Sequence, residues 1–384
     1  MLRIVTVYQP AARPPDRAQG DLVSLNMGYI RWLRMSEELA RLGHQVDVAV
    51  ADELVHARGA PRDRESRGDP AWPRPVGYLA PPLGRVSLTR VRWRDYDVVK
   101  TDYHKGFETL EQFGGADHPC IIAHLGSTVS PEDRPGIPFY GDIRAQLFTT
   151  QLRIHQRARY VALLTPPARE LWQECVGPRE RLLVVPGAAD RDVPPPVRNP
   201  YPATSERTIL FAGNVYNPQS QPEAHALLIA KLNRLGQLLA RRGARLYMMG
   251  TGDVTHLDQQ HVTYLGALPY QDTWDYFHFA DVGVVVAPAP FLHNNESTKI
   301  YSYLRVGLPV VSEAGFPNDD VVREAGLGFV VPNDDLEQMA DAILEAAARD
   351  WERERAIGYI LRHHTWDQRA QLYRQVLARD FPGR

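Results

Sequence analysis

Asn294-Asn295-Glu296-Ser297-Thr298-Lys299-Ile300-Tyr301-Ser302-Tyr303-Leu304-Arg305-Val306-Gly307-Leu308-Pro309-Val310-Val311 reads in succession as a loop, a helix start and a buried strand. Ser297 or Thr298 is placed to cap the helix, Gly307 to end it, and Pro309-Val310-Val311 opens an apolar run of strand type. The first backbone N–H groups of such a helix have no partner inside it, so an anion is their natural guest. Lys299 falls in the first turn, where it adds a full positive charge. The chain has only four lysines, Lys100, Lys105, Lys231 and Lys299, and writes nearly all its other positive charge as arginine. A lysine at a helix start, where cations are otherwise disfavoured, therefore points to an anionic ligand.

Outward from this stretch, the same alternation of strand and helix fills most of the 384 residues. Leu2 to Tyr8 is followed by a Pro-, Arg- and Gly-rich loop, then by a helix with Trp32, Met35, Leu39 and Leu42 at three- and four-residue spacing, closed by Gly43-His44. Gln45 to Val50 is the next strand, which makes a strand-helix-strand unit of a parallel sheet. Further strands are expected at Tyr96 to Lys100, Cys120 to His124, Tyr160 to Leu164 and Leu182 to Val185. Arg191 to Pro202 contains five prolines and can continue neither helix nor sheet, so it reads as a linker. Beyond it the alternation restarts, with strands at Thr208 to Ala212, Arg245 to Met249, Val262 to Leu265, Val282 to Ala287, Pro309 to Ser312 and Gly328 to Val331, and helices over 223–242 and near Thr273. The expected organisation is α/β: a doubly wound, Rossmann-like domain over 1–190, a proline-rich linker over 191–204, a second such domain over 205–364 and a final helical segment over 365–384. The stretch from Leu54 to Asp95, with nine arginines, several prolines and weak periodicity, reads as a solvated surface excursion and as the first place to look for an anionic acceptor.

Composition narrows the function. A hydrophobic share of 44% in a chain of this length supports two ordinary cores, and a net charge of -2 gives no bulk attraction to nucleic acid or anionic lipid. The opening Met1 to Tyr8 lacks the pattern of a signal peptide, and no run of about 18 apolar residues exists. The expectation is a soluble cytoplasmic protein with at most peripheral contact at the inner membrane face. Cys120 and Cys175 are too few and too far apart for a disulfide framework or a zinc site, and they read as inert packing residues. His363-His364 invites a metal reading, but adjacent histidines on a helix face different directions and no third ligand is apparent, so no metal is expected.

Two Rossmann-like halves joined by a proline-rich hinge, with the anion site early in a helix of the second, resemble the GT-B glycosyltransferases. Leu39-Ala40-Arg41-Leu42-Gly43-His44-Gln45-Val46-Asp47-Val48, Val184-Val185-Pro186-Gly187-Ala188-Ala189-Asp190, Ile209 to Asn214, Met249 to Gly252, Tyr264-Leu265-Gly266 and Ala280-Asp281-Val282 follow the motif order of family 4, the group 1 glycosyl transferases. The resemblance implies a nucleotide-sugar donor carrying UDP, GDP or TDP, used as a substrate with no further cofactor, and an acceptor that is a small molecule, a lipid-linked group or a glycan. It implies that Lys299 neutralises the leaving diphosphate, that Ser297 and Thr298 bond phosphate oxygens, that Gly213 and Asn214 approach them, and that Leu265 and Gly266 meet the base. Retaining members usually carry two glutamates where this chain has Asn294 and Ser302, and Glu296 is the nearby carboxylate able to replace part of that role. Ser297-Thr298-Lys299-Ile300 with Tyr303 and Gly307-Leu308-Pro309 is also similar to the inverting bacterial glucuronosyltransferases of polysaccharide assembly, which lack the pair. An inverting enzyme needs a general base; Asp102, His104 and His124 at strand ends of the first half are the candidates, with Asp142 weaker. His124 resembles a histidine that the family places near the donor sugar. Trp366 resembles the start of a last helix that crosses back to the first domain. The function so implied is metal-independent transfer of a hexose or uronic acid from a nucleotide-diphosphate sugar to a hydroxyl acceptor. The alternatives are a nucleotide-sugar-binding protein without catalysis and a nucleotide-sugar 2-epimerase of the same fold.

Overall fold

A computed structural model describes residues 1–7, 27–52, 83–134, 141–219, 221–268, 272–287 and 295–383. The expected Asn294 contact and residues 54–82 of the arginine-rich stretch lie outside them, as does the side chain of Asp142.

The first unit is a seven-stranded sheet of order β3-β2-β1-β4-β5-β6-β7, built from β1 (Arg3–Val7), β2 (Gln45–Val50), β3 (Gly84–Ser87), β4 (Val98–Asp102), β5 (Ile121–His124), β6 (Tyr160–Leu163) and β7 (Leu182–Val184). Every pairing is parallel, for example Val5 with Asp47 across β1 and β2. Parallel strands need crossovers, and helices α1 (Met27–Arg41), α2 (Tyr103–Gln112), α3 (Arg144–Arg157) and α4 (Pro166–Cys175) lie among them. The three- and four-residue spacing of α1 places Trp32, Met35 and Leu39 in the core, and Gly43, at φ +89°, makes the left-handed turn that stops the helix before β2.

The second unit is a six-stranded parallel sheet of order β10-β9-β8-β11-β12-β13, from β8 (Arg207–Ala212), β9 (Ala244–Met249), β10 (Val262–Tyr264), β11 (Val282–Val285), β12 (Val310–Glu313) and β13 (Gly328–Val331). Its helices are α5 (Pro222–Ala240), α6 (Thr273–Phe279), α7 (Thr298–Arg305), α8 (Asp320–Ala325), α9 (Leu336–Ala348) and α10 (Arg353–His363), and a last helix, α11 (Trp366–Asp380), follows them. Both sheets reverse strand order beside their first strand. Ligands bind beyond the carboxyl ends of strands at such switch points, here between β8 and β11. The α7 helix, inside the stretch that opened the sequence reading, follows β11.

Helix α11 packs against α1 on the first sheet, with Trp366, Tyr373 and Leu377 buried. A single apolar cluster runs from Ile4 and Trp32 through Val185 and Ala188 to Ile300, Tyr301 and Trp366, so the seam between the halves is packed rather than open.

The structure corrects the reading of Leu54 to Asp95 as wholly solvated. Gly84–Ser87 is the edge strand of the first sheet, in register with Asp47 to Val50, and Trp93 and Leu88 are buried beneath it. Gly-Arg-Val-Ser carries one apolar side chain and pairs along one edge only, so periodicity gave no signal. The strand expected at Tyr96 to Lys100 is displaced to Val98–Asp102, which makes Asp102 a strand residue paired with His124 in register.

Candidate functional site

Lys299 lies in the first turn of α7 against the glycine that ends β8. A Cβ on Gly213 would stand 2.7 Å from Lys299 Cε and 3.1 Å from its Nζ, so the absence of a side chain at 213 makes room for the ammonium. Nζ also sits 5.2 Å from the centre of the Phe211 ring, a favourable cation–π placement. Crowding disfavours the charge nonetheless: burial alone pushes the lysine from 10.5 down to about 8. The other lysines each have a carboxylate. Lys100 pairs with Asp102, Lys231 with Glu313 at 2.9 Å, and exposed Lys105 with Glu108 at 3.7 Å. Lys299 has none among the described residues. A half-buried ammonium without a counter-ion is disfavoured, and its natural complement is an anion from outside.

The helix start around it is prepared in the same sense. Ser297 holds the N-cap position, but its hydroxyl makes no capping bond, contrary to the sequence expectation. The Asn318 side chain fastens this turn instead, accepting from the Ser297 N–H at 2.9 Å and donating to the Ser297 carbonyl at 2.9 Å. Ser297 Oγ is buried with no hydrogen-bond partner, in a residue that is 3% exposed. The Thr298 and Lys299 N–H groups have no acceptor among the described residues. A hydroxyl and two N–H groups without partners among the described residues, and an ammonium, thus belong to three consecutive residues at one helix start, a donor set suited to phosphate oxygens.

The neighbouring loops are locked to each other. The Gly213 N–H donates to Met249 O at 2.8 Å, Asn214 Oδ1 accepts from the Thr251 N–H at 2.8 Å and its hydroxyl at 3.0 Å, and the Gly250 N–H donates to Gly266 O at 3.0 Å. Gly250, at φ +146°, has its would-be Cβ 2.1 Å from Gly213 O, so only glycine permits this approach. Leu265 and Gly266 end β10, two strands from β8, and Leu265 donates to Met248 O at 2.8 Å. Gly213, Asn214 and Gly266 are thus linked through Gly250 and Thr251, and Gly213 is the one that lies against Lys299. Ser302 is elsewhere engaged: its hydroxyl donates to Thr298 O at 3.4 Å within the helix. Glu296 is fully committed too, with Oε1 accepting from the Gly187 N–H and from Arg31 Nη2 at 3.2 Å, and Oε2 from the Tyr301 hydroxyl at 3.0 Å.

Two of the three first-domain candidates, Asp102 and His124, adjoin, whereas His104 engages Gln151 of α3. Asp102 is buried in an ion pair with Lys100. His104, in the first turn of α2, meets Gln151 of α3 at 3.3 Å, and burial drives it down to about 4, so it is neutral at neutral pH. His124 ends β5 with Nδ1 3.1 Å from the Tyr373 hydroxyl and 3.7 Å from Asp102 Oδ1. Burial first, then the charges of Arg31 and Lys100, hold it well below the usual histidine range, with the Val185 main chain opposing them. Its Nε2 is buried without a well-formed hydrogen bond. The sequence reading missed Arg31, Phe211 and Tyr373. Phe211 was legible as the apolar residue two before Gly213, whereas Arg31 is one arginine among many and Tyr373 reaches His124 across 249 residues.

Among the described residues no group of three or more His, Cys, Asp or Glu could hold a metal ion, and no helix is long and apolar enough to cross a membrane. His363 and His364 are ring neighbours of Tyr359, and Arg369 donates to His364 Nδ1 at 2.8 Å. Burial pushes the Cys120 thiol up to about 12, as suits a packing residue.

Two doubly wound parallel sheets in succession, each with its crossover helices, are the architecture of the GT-B fold. Residues 206–349, the stretch that contains Lys299, match the family model described as "Glycosyl transferases group 1". No curated protein sequence matches. Among solved structures, a sucrose-phosphate synthase from Thermosynechococcus elongatus aligns at 16% identity and TM-score 0.64, covering 99% of this chain and 100% of that one. AviGT4, a glycosyltransferase involved in avilamycin A biosynthesis, aligns at 16% identity and TM-score 0.58 over 100% and 99%. Anabaena HepE in complex with UDP-glucose aligns at 14% identity and TM-score 0.62 over 99% and 100%. Likeness at these identities establishes the fold.

Proposed function

We propose that the protein is a glycosyltransferase that moves a hexose or uronic acid from a nucleotide-diphosphate sugar to a hydroxyl acceptor. The observation that carries this reading is Lys299, a cation without a carboxylate partner among the described residues, set beside the free hydroxyl of Ser297 at a helix start. In this reading the diphosphate lies on Lys299, Ser297 Oγ and the Thr298 and Lys299 N–H groups. Gly213 and Asn214 border it, and Leu265 and Gly266 meet the base. As the glycosidic bond breaks, negative charge grows on the leaving phosphate, and Lys299 stabilises it more than it stabilises the bound donor. The reading needs no metal, because the lysine and the helix start supply the positive charge. The family match and the UDP-glucose held by HepE support a nucleotide-sugar donor.

The sugar is assigned to the first-domain side, where His124 Nε2 is a buried nitrogen without a well-formed hydrogen bond. A histidine held neutral serves as a hydroxyl contact rather than as a proton store. A second reading, a nucleotide-sugar-binding protein without transfer, is favoured by one observation: Asp102 and His104, the other candidate bases, are both tied to protein partners. Donor hydrolysis in the absence of acceptor separates the two. The donor site is tested by a thermal-shift panel of UDP, GDP, TDP and ADP against wild type and Lys299→Ala. Stabilisation by one nucleotide, lost in the variant, is expected; no shift from any of the four would remove the reading.

A further inference from the structure

Gly187 explains itself only when both halves are considered together. Its φ lies outside the left-handed region, so its backbone accepts any residue, yet a Cβ there would stand 2.5 Å from Glu296 Oε1, 2.9 Å from Thr298 Cγ2 and 3.3 Å from Arg31 Nη2. The requirement is space. The last turn of the first domain meets the start of α7 so closely that a methyl group does not fit between them. Glu296 fills this seam with a carboxylate that is 1% exposed, and the groups it bonds belong to both sides: Arg31 on α1 and the Gly187 N–H from the first domain, Tyr301 from α7. The Gly187 carbonyl in turn accepts from Arg369 of α11 at 3.1 Å, and Arg34 binds Asp190 with two bonds of 2.9 Å. Those latter contacts fix the connecting segment to α1 and α11, whereas Glu296 carries the fixation across to the helix that bears Lys299.

Resting on the donor-site reading, we propose that Glu296 is a positioning residue: through Arg31 and Gly187 it latches the start of the diphosphate-holding helix to the first domain, and so sets the distance across which the sugar is transferred. Both of its carboxylate oxygens are occupied by protein, so a direct donor contact would first have to break the latch. Removing one partner of a buried pair leaves the other charge uncompensated, and Arg31 Nε is already without a partner, so the seam has no spare acceptor to take over. The nucleotide, held by second-domain atoms alone, should then bind as well to an open molecule as to a closed one.

The test compares wild type, Glu296→Gln, Gly187→Ala and Lys299→Met by small-angle X-ray scattering without nucleotide and by calorimetric titration with UDP. Glu296→Gln keeps the size of the side chain and removes the charge; Gly187→Ala wedges the same seam while leaving every charge in place, and circular dichroism melts report whether each is folded. Both are expected to show a larger radius of gyration than wild type while keeping wild-type UDP affinity, and Lys299→Met to keep the wild-type radius while losing affinity at least about tenfold. A wild-type radius in both seam variants overturns the latch. A loss of UDP affinity in Glu296→Gln with unchanged radius also overturns it and makes Glu296 a donor ligand. If wild type itself does not bind UDP, the nucleotide assignment fails, while the radii still decide whether Glu296 holds the seam.

Discussion

Replacing Lys299 by methionine keeps the length of the side chain and removes its charge, and two opposite effects are expected. In the free protein the ammonium is disfavoured by burial, which lowers it from 10.5 to about 8. At roughly 1.4 kcal/mol per pKa unit, this corresponds to about 3 kcal/mol of destabilisation at neutral pH, an upper bound because the residue keeps some exposure and the Phe211 ring returns part of it. Lys299→Met should therefore melt above wild type when no nucleotide is present. With UDP present that advantage should shrink by about 1.5–3 kcal/mol, because the variant lacks the charge-assisted contact. The pH dependence has a fixed sign. Between about 8 and 10.5 the unfolded chain holds a proton that the folded chain has released, so wild type gains stability over the variant as pH rises through that window. The same deprotonation removes the cation, so wild-type UDP affinity should fall as pH climbs past about 8, while the residual affinity of the variant stays flat. Denaturant unfolding and calorimetry over this range measure both. A variant that is less stable than wild type without nucleotide, or that binds UDP equally well, refutes the reasoning.

Three other perturbations probe neighbouring features. Gly213→Ala brings a Cβ against the flexible end of Lys299, which can move aside, so a stability loss below about 1 kcal/mol but a clear drop in UDP affinity is expected; unchanged affinity would show that the lysine position is not critical. Tyr303→Phe removes the hydroxyl that accepts from the Ala212 N–H at 2.8 Å, leaving that buried donor unpaired at a cost of about 1–3 kcal/mol in urea unfolding; an unchanged midpoint would contradict the bond. His104 is lowered from 6.5 to about 4, so its contribution to stability is present above 6.5 and lost as pH falls toward 4. His104→Gln should flatten the acid limb of the stability curve by up to about 3 kcal/mol at pH about 4, and a limb unchanged by the substitution would refute the assignment.

Much of this architecture was legible because parallel α/β sheets announce themselves locally. Each buried strand is a short apolar run, and several crossover helices have their own three- and four-residue spacing and a glycine stop, as at Trp32, Met35, Leu39 and Gly43. The edge strand Gly84–Ser87 was not legible, since a strand paired on one side needs little apolar character. Lys299 and Gly213 could be named because helix starts and strand-end glycines are sequence-local. The tasks of Glu296 and Ser297 could not. Ser297 looks like a cap, but its hydroxyl makes no capping bond, and Asn318, 21 residues onward, holds its main chain instead. Glu296 looks like a donor contact until Gly187, 109 residues back, and Arg31, 265 residues back, claim its carboxylate. Asp102 likewise reads as a free base until the strand is seen to extend far enough for Lys100, two residues earlier on the same face, to pair with it.

The most direct measurement is release of nucleoside diphosphate from a series of UDP-, GDP- and TDP-linked hexoses and uronic acids, with wild type and Lys299→Met assayed side by side. Cleavage of donors bearing one nucleotide, slow without acceptor and abolished or greatly reduced in the variant, is the expected result. Donor cleavage that proceeds equally in the variant would contradict the role given to Lys299, and no cleavage of any donor by wild type would contradict sugar transfer itself.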